Sequence, residues 1–194
     1  MSSFNQLPRD LPYPIDDGAC DHLEGISLPD IALLATNNER VNFSEISGRV
    51  VIYLYPMTGH PDAELPDGWD QIPGARGCTP QSCSFRDHYE ELRSLNASVY
   101  GLSTQTTAYQ AEARDRLDLP FQLVSDQCLE FISSLSLPIF EVEGASLSKR
   151  ITLIANQGVI EKVFYPVFPP DQNADQVMAY LNEISRLNKG SHAD

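Results

Sequence analysis

Val50-Val51-Ile52-Tyr53-Leu54-Tyr55 is a continuous run of β-branched and aromatic residues stopped by Pro56. Such a run suits a central strand buried on both faces. Ser98–Thr104 and Phe121–Val124 read as further strands. Phe85, Tyr89 and Leu92 recur at helical spacing, predicting a helix from Thr79 to about Leu95, with Thr79 as N-cap and Pro80 in the first turn. Ala108–Leu117 reads as a second helix, and a short one covers about Gln127–Leu135. Arg150–Ile154 and Val159–Phe164 flank Asn156-Gln157-Gly158, the pattern of an antiparallel hairpin. Val177, Met178, Leu181, Ile184 and Leu187 share one face of a last helix, Asp175–Leu187. Two short strands are expected within residues 26–46, around the polar Asn37-Asn38-Glu39 turn. Alternating strands and helices imply parallel βαβ units, and the hairpin adds antiparallel strands. The expectation is an α/β fold with a central mixed sheet flanked by helices.

Two segments show no period. Residues 1–22, rich in Pro and Asp, read as an N-terminal arm before a domain spanning 23–194. Residues 57–77 hold several prolines and glycines and the single tryptophan, Trp69. At that length, an irregular stretch inside a domain is usually functional, and its composition predicts fixed turns packed on an aromatic side chain.

Composition narrows the function classes. Hydrophobic residues make up 42% of the 194, enough for a real core. Thirteen Lys and Arg against 27 Asp and Glu give a net charge of −14 without a basic cluster, so nucleic acid and anionic membranes are poor partners. Neither a spanning run nor an export-type leader is visible, and a cytoplasmic location is expected.

Four cysteines, Cys20, Cys78, Cys83 and Cys128, are too few for a disulfide scaffold. Cys78 and Cys83 form a C-x4-C pair, unlike the C-x2-C of a dithiol reductase or zinc knuckle. Cys78 falls at the start of a helix, where free N–H groups and the dipole stabilise a thiolate. Arg76 and Arg86 lie close in sequence. A thiolate attacks peroxides and is oxidised to sulfenic acid, which a second thiol can condense with. Residues five apart on an unbroken helix are about 8–9 Å apart at Cα, and a disulfide needs roughly 7 Å or less. A Cys78–Cys83 bond therefore requires the first turn to unwind. The plain alternative is a buried cysteine serving as a small apolar side chain, the expected role of Cys20 and Cys128. His22, His60, His88 and His192 form no constellation, and a zinc set of Cys20, His22, Cys78 and Cys83 lacks knuckle spacing.

Tyr53-Leu54-Tyr55-Pro56, then Gly77-Cys78-Thr79-Pro80-Gln81-Ser82-Cys83-Ser84-Phe85-Arg86-Asp87, resembles peroxiredoxins of the bacterioferritin-comigratory-protein, or Q, type. These belong to the alkyl hydroperoxide reductase/thiol-specific antioxidant superfamily. Gly101-Leu102-Ser103-Thr104, Leu123-Val124-Ser125-Asp126 and Arg150-Ile151-Thr152-Leu153-Ile154 match further family segments in order, so the likeness spans roughly 23–187. The resemblance implies a thioredoxin-like fold, with Cys78 as the peroxidatic cysteine and Cys83 as the resolving one. It makes Arg150 the arginine that supports the thiolate and polarises the peroxide, and Pro56 the active-site proline. It implies a hydroperoxide substrate, an intramolecular Cys78–Cys83 disulfide, a thioredoxin- or glutaredoxin-like reductant, and a monomer or weak homodimer. No cofactor and no metal are called for.

The chain departs from the family pattern Pro-x-x-x-Thr-x-x-Cys. Pro56 stands 22 residues before Cys78, a link about 15 residues longer than the pattern, and Ala75 occupies the threonine slot. Thr58 is the candidate to supply the missing hydroxyl. The rival functions are a disulfide reductase on the same fold, a redox sensor using the same disulfide, and a zinc-binding module.

Overall fold

A computed structural model describes residues 7, 8 and 10–190. Residues 1–6 and 9 of the expected arm, and His192, lie outside the described residues. Seven strands form the central sheet: β1 (Ala32–Ala35), β2 (Arg40–Asn42), β3 (Arg49–Leu54), β4 (Ala97–Ser103), β5 (Leu123–Ser125), β8 (Ile151–Asn156) and β9 (Val159–Phe164), in the order β2-β1-β5-β4-β3-β8-β9. Strands β3, β4 and β5 are parallel, while β8, β9, β1 and β2 pair antiparallel. A separate antiparallel hairpin, β6 (Ile139–Val142) and β7 (Ala145–Ser148), stands outside this sheet. The helices are α1 (Cys78–Asp87), α2 (Tyr89–Ser94), α3 (Thr107–Arg116), α4 (Glu130–Ser134) and α5 (Asn173–Gly190). This is the mixed, helix-flanked sheet expected from the sequence. Among the described residues, no helix is long and apolar enough to cross a membrane.

Side-chain alternation along β3 builds two cores at once. Val50, Ile52 and Leu54 join Phe43, Leu153, Phe131 of α4 and Leu23 on one face. Val51, Tyr53 and Tyr55 join Phe85 of α1, Leu92 of α2, Ala113 of α3 and Val177 and Leu181 of α5 on the other. Tyr53 locks α1 to the sheet. Its ring stacks on Phe85 with centroids 4.5 Å apart, and its hydroxyl donates to Ser82 Oγ at 3.0 Å. Gly101 on the neighbouring strand makes room for that ring: an added Cβ would lie 2.7 Å from Tyr53 Cζ and 2.6 Å from Leu123 Cδ2.

Three local features differ from the sequence expectation. The helix begins one residue earlier, with Gly77 rather than Thr79 as its N-cap, because Gly77 takes a left-handed φ of 105°. It also breaks at His88, which leaves helical geometry, so α1 and α2 are separate pieces. The imidazole of His88 lies 3.4 Å from both Glu91 and Asp175, and so links the break to α5. Cys128 is exposed in the turn before α4 and not in an apolar helix.

The described part of residues 1–22 is tied down. Asp17 accepts from Lys149 Nζ at 2.8 Å and from the Tyr165 hydroxyl at 2.8 Å. Cys20 is buried in the first core, as expected of a small apolar side chain, and burial pushes its thiol up to about 12. The bonds from Lys149 and Tyr165 hold the Asp17 carboxyl down at about 2.

Two measurements test this packing. Gly101→Ala forces Tyr53 or Leu123 to shift, and overpacking of this kind costs about 1–3 kcal/mol; urea unfolding should show it. The Asp17 anchor belongs to a group whose pKa is depressed in the folded state. Its contribution is present above the ordinary carboxylate value near 3.8 and is lost as pH falls through about 2. Maleimide labelling at neutral pH should mark Cys128 at once and spare Cys20, and Asp17→Asn should speed the labelling of Cys20. Equal labelling of Cys20 in both proteins would show that this anchor does not hold the segment.

Candidate active site

Two residues past the end of β3 stands Pro56, a buried residue whose carbonyl accepts from Ser103 Oγ at 3.1 Å. The 57–77 segment then leaves the sheet and returns at Gly77, and α1 begins at Cys78. Gly77 fits this corner for two reasons. Its φ is left-handed, and a Cβ there would collide with the ring of Pro170. The first backbone bond of the helix runs from Gln81 N to Gly77 O at 3.0 Å. The amides of Cys78 and Thr79 therefore have no acceptor within the helix, and they stand at the positive end of its dipole beside the sulfur.

Arg150, at the start of β8, reaches across to Cys78, with its Nη2 3.2 Å from Sγ. Both side chains are 3% exposed, so solvent does little to screen the charge of the guanidinium at the sulfur. The guanidinium is fixed from several sides. Nε donates to Gly74 O at 3.3 Å, Nη2 also donates to Ala75 O at 3.1 Å and Arg76 O at 3.2 Å, and Nη1 donates to Gln81 Oε1. Gln81 in turn donates through Nε2 to Asn173 Oδ1 at 2.9 Å, which also accepts from Thr152 Oγ1 at 2.7 Å. A chain of buried polar groups thus runs from α5 and β8 through α1 to the arginine beside the sulfur.

The threonine slot is filled by a backbone group. The Cys78 thiol donates to Ala75 O at 3.6 Å. Thr58 is buried, but its hydroxyl and its amide both donate to Gln105 Oε1, at 3.2 and 3.0 Å. The expectation that Thr58 bonds the sulfur is therefore corrected. Its hydroxyl is taken up in anchoring the start of the insertion to the loop after β4. Its neighbours Met57 and Gly59 instead line the small cavity that Cys78 also borders. A cavity of about 10 Å³ adjoins Cys78, and Met57, Gly59, Leu65, Trp69, Arg76, Gly77 and Thr79 line it.

Cys83 lies five residues along the same helix, half-buried, and burial raises its thiol above the ordinary value. Both cysteines hold helical positions and both are free thiols. Arg86 is turned away to Asp87 and to Leu117 O. His22 Nε2 bonds Leu135 O, His60 pairs with Asp62, and His88 pairs with Glu91 and with Asp175 of α5. Among the described residues, no group of three or more His, Cys, Asp or Glu is placed to hold a metal ion.

The structure thus brings Cys78 and Arg150 together, places Cys83 on the same helix, and sets Pro56 at the strand end without a bond to the sulfur. Sequence reasoning missed Gln81, which holds the arginine, and Met57 and Leu65, which line the cavity. Gln81 lies three residues after Cys78, on the same side of α1, and helical spacing alone was the signal for it.

The sequence pattern of the Redoxin family matches residues 23–178. Chloroplastic peroxiredoxin Q from Oryza sativa subsp. japonica is 26% identical over 162 residues, covering 83% of this chain and 67% of that protein. Its counterpart from Suaeda salsa is also 26% identical over 162 residues, covering 83% and 68%. Among solved structures, peroxidoxin BcpB from Mycobacterium tuberculosis superposes with a TM-score of 0.69 at 24% identity, over 84% of this chain and 99% of that one. Xanthomonas campestris peroxiredoxin Q gives 0.61 at 18% identity, over 90% and 95%. A helix-start cysteine under a buried arginine, on this sheet and with these relatives, places the chain in the Redoxin family as a peroxiredoxin of the Q type.

Proposed function

We propose that the protein is a thiol peroxidase that reduces hydroperoxides through Cys78 and resolves the product as a Cys78–Cys83 disulfide. The 3.2 Å approach of Arg150 Nη2 to Cys78 Sγ at the start of α1 carries this reading. The thiolate is the form that attacks, and a fixed cation and free helix amides face the sulfur where its charge sits. The Cys78 thiolate attacks the terminal oxygen of the hydroperoxide, an S–O bond forms and the O–O bond breaks. Cys78 becomes a sulfenic acid, and the departing alkoxide or hydroxide takes a proton from water. Arg150 faces the charge that grows on the leaving oxygen, and its four protein acceptors spare it from reorganising as that charge develops.

In the second step, the Cys83 sulfur displaces the hydroxyl of the Cys78 sulfenic acid, forming the disulfide and releasing water. Both residues sit in one helix, where five positions separate Cα atoms by about 8–9 Å, so α1 must unwind first. Unwinding also moves Cys83 into water. Burial is the main cause of its raised value, so this step favours its thiolate when it is needed. A thioredoxin- or glutaredoxin-like dithiol then reduces the disulfide by exchange, and two electrons pass from that dithiol to the peroxide overall. A structural neighbour, the bacterioferritin comigratory protein of Xanthomonas campestris, has alkyl peroxide reduction activity, which supports this class of substrate. Pro56 contributes by keeping the chain out of β3 beyond Tyr55, ahead of Met57 in the wall of the Cys78 cavity. The reductase rival would need the C-x2-C pair that this helix lacks. Sustained turnover with excess peroxide and a dithiol donor separates the enzyme from a redox sensor.

Cys78→Ser should abolish turnover with any reductant, while Cys83→Ser should still consume one equivalent of peroxide and stop at the sulfenic acid. Mass spectrometry and a peroxide assay check both, and substantial turnover by Cys78→Ser would sink the assignment. Arg150→Met removes a bond between charged groups worth about 1.5–3 kcal/mol, so sulfenic acid should form roughly tenfold or more slowly. A stopped-flow rate equal to wild type would place the catalytic cation elsewhere. Thr58→Val should change that rate far less than Arg150→Met, since the Thr58 hydroxyl serves Gln105.

A further inference from the structure

We infer that the 57–77 insertion, through Trp69 and Leu65, forms a fixed ceiling over Cys78 that admits hydrogen peroxide and slender hydroperoxides and rejects bulky ones. The proposal rests on the peroxidase reading and specifies its substrate class. The space beside the sulfur is about 10 Å³, close to the room for a single water. Larger hollows of about 510 and 450 Å³ lie on either side, the first reaching Gly74 and Arg150 and the second Met57, and neither includes Cys78 in its wall. The tightness is therefore local to the thiol.

The ceiling is built to stay in place. Trp69 is 3% exposed and packs with Ala75, Leu147, Met57, Leu65, Ile72, Phe140 and Val142 in a third apolar cluster. Its ring lies 6.3 Å from that of Phe140 on β6, so the β6–β7 hairpin buttresses it from outside. Asp67 N donates to Glu143 Oε1 in the hairpin turn at 3.3 Å, and Asp70 pairs with Arg76 at 3.2 Å just before the cysteine helix. At the other end, Arg116 Nη2 holds Gly59 O at 2.9 Å, beside the Thr58–Gln105 bonds. Met57 is the adaptable part of the wall, with a flexible thioether that can move aside for a peroxide head group. A tertiary aryl-alkyl group would have to displace Trp69, and Trp69 cannot shift without opening its contacts with the hairpin.

The test is the ratio of second-order rate constants for oxidation of Cys78 by cumene hydroperoxide and by hydrogen peroxide. A ratio is used because a loosened fold slows both reactions together. Wild type should favour hydrogen peroxide. Trp69→Ala should raise the cumene-to-hydrogen-peroxide ratio by roughly tenfold or more, the scale on which pocket size discriminates between substrates. Trp69→Phe and Leu65→Ala should raise it less. If Trp69→Ala loses its native circular dichroism, Leu65→Ala decides the question. A ratio unchanged in every folded variant, or a wild type that favours cumene hydroperoxide, overturns the ceiling and leaves the peroxidase reading intact. A wild-type Cys78 that neither peroxide oxidises overturns both.

Discussion

Burying the guanidinium of Arg150 is the constraint around which the active end of the sheet is organised. A cation taken out of water costs several kcal/mol unless acceptors replace its hydration. Here they are the carbonyls of residues 74–76 and the Gln81 side chain. Those three successive carbonyls converge because the end of the insertion turns tightly, with Gly74 in a left-handed conformation and Ala75 N bonded back to Ile72 O. The link before the cysteine helix is thus wrapped around the arginine, and the sulfur takes its place as a further ligand of the same cation. Removing the arginine would leave a set of buried carbonyls without donors, as well as a sulfur without its counter-charge.

The insertion and the β6–β7 hairpin depend on each other. Neither is long enough to enclose a core, and both contribute to the small cluster around Trp69, five residues from the insertion and three from the hairpin. Ser148 Oγ donates to Tyr55 O at 3.4 Å, so the hairpin's last strand also meets the end of β3, from which the insertion departs. Two excursions far apart in sequence thereby support one wall of the Cys78 cavity, a wall assembled from parts outside the central sheet.

Much of this was legible in the sequence. The run 50–55 and the Asn156-Gln157-Gly158 turn fixed the middle of the sheet, because burial on both faces and a two-residue turn each leave a strong local signature. The C-x4-C pair and Arg150 marked the chemistry. The hairpin Ile139–Ser148 was missed, since Ile139-Phe140-Glu141-Val142 is short and half-exposed. Its signal was the Glu143-Gly144 turn, where both residues have positive φ. The partners of Thr58 and of Arg150 were not legible for a different reason. Which acceptor a hydroxyl or guanidinium meets depends on the path of the insertion, and residues 57–77 carry no period from which to read that path.

The break at His88 gives the cysteine helix a boundary of its own. Without it, α1 and α2 would run as one rod, and melting the start would draw on cooperativity along the whole length. With it, the ten residues Cys78–Asp87 can open as a small foldon while Leu92 of α2 stays in the core. In the proposed cycle, the opening equilibrium of that unit then sets a maximum rate for disulfide formation that no increase in peroxide can raise. Attack on Cys78 has no such limit, because it scales with peroxide concentration. At high peroxide, the sulfenic acid therefore waits for the helix to open and meets a second oxidant while it waits, a route to the sulfinic form. The stability of one short helix would thus set the peroxide concentration at which the enzyme begins to inactivate itself.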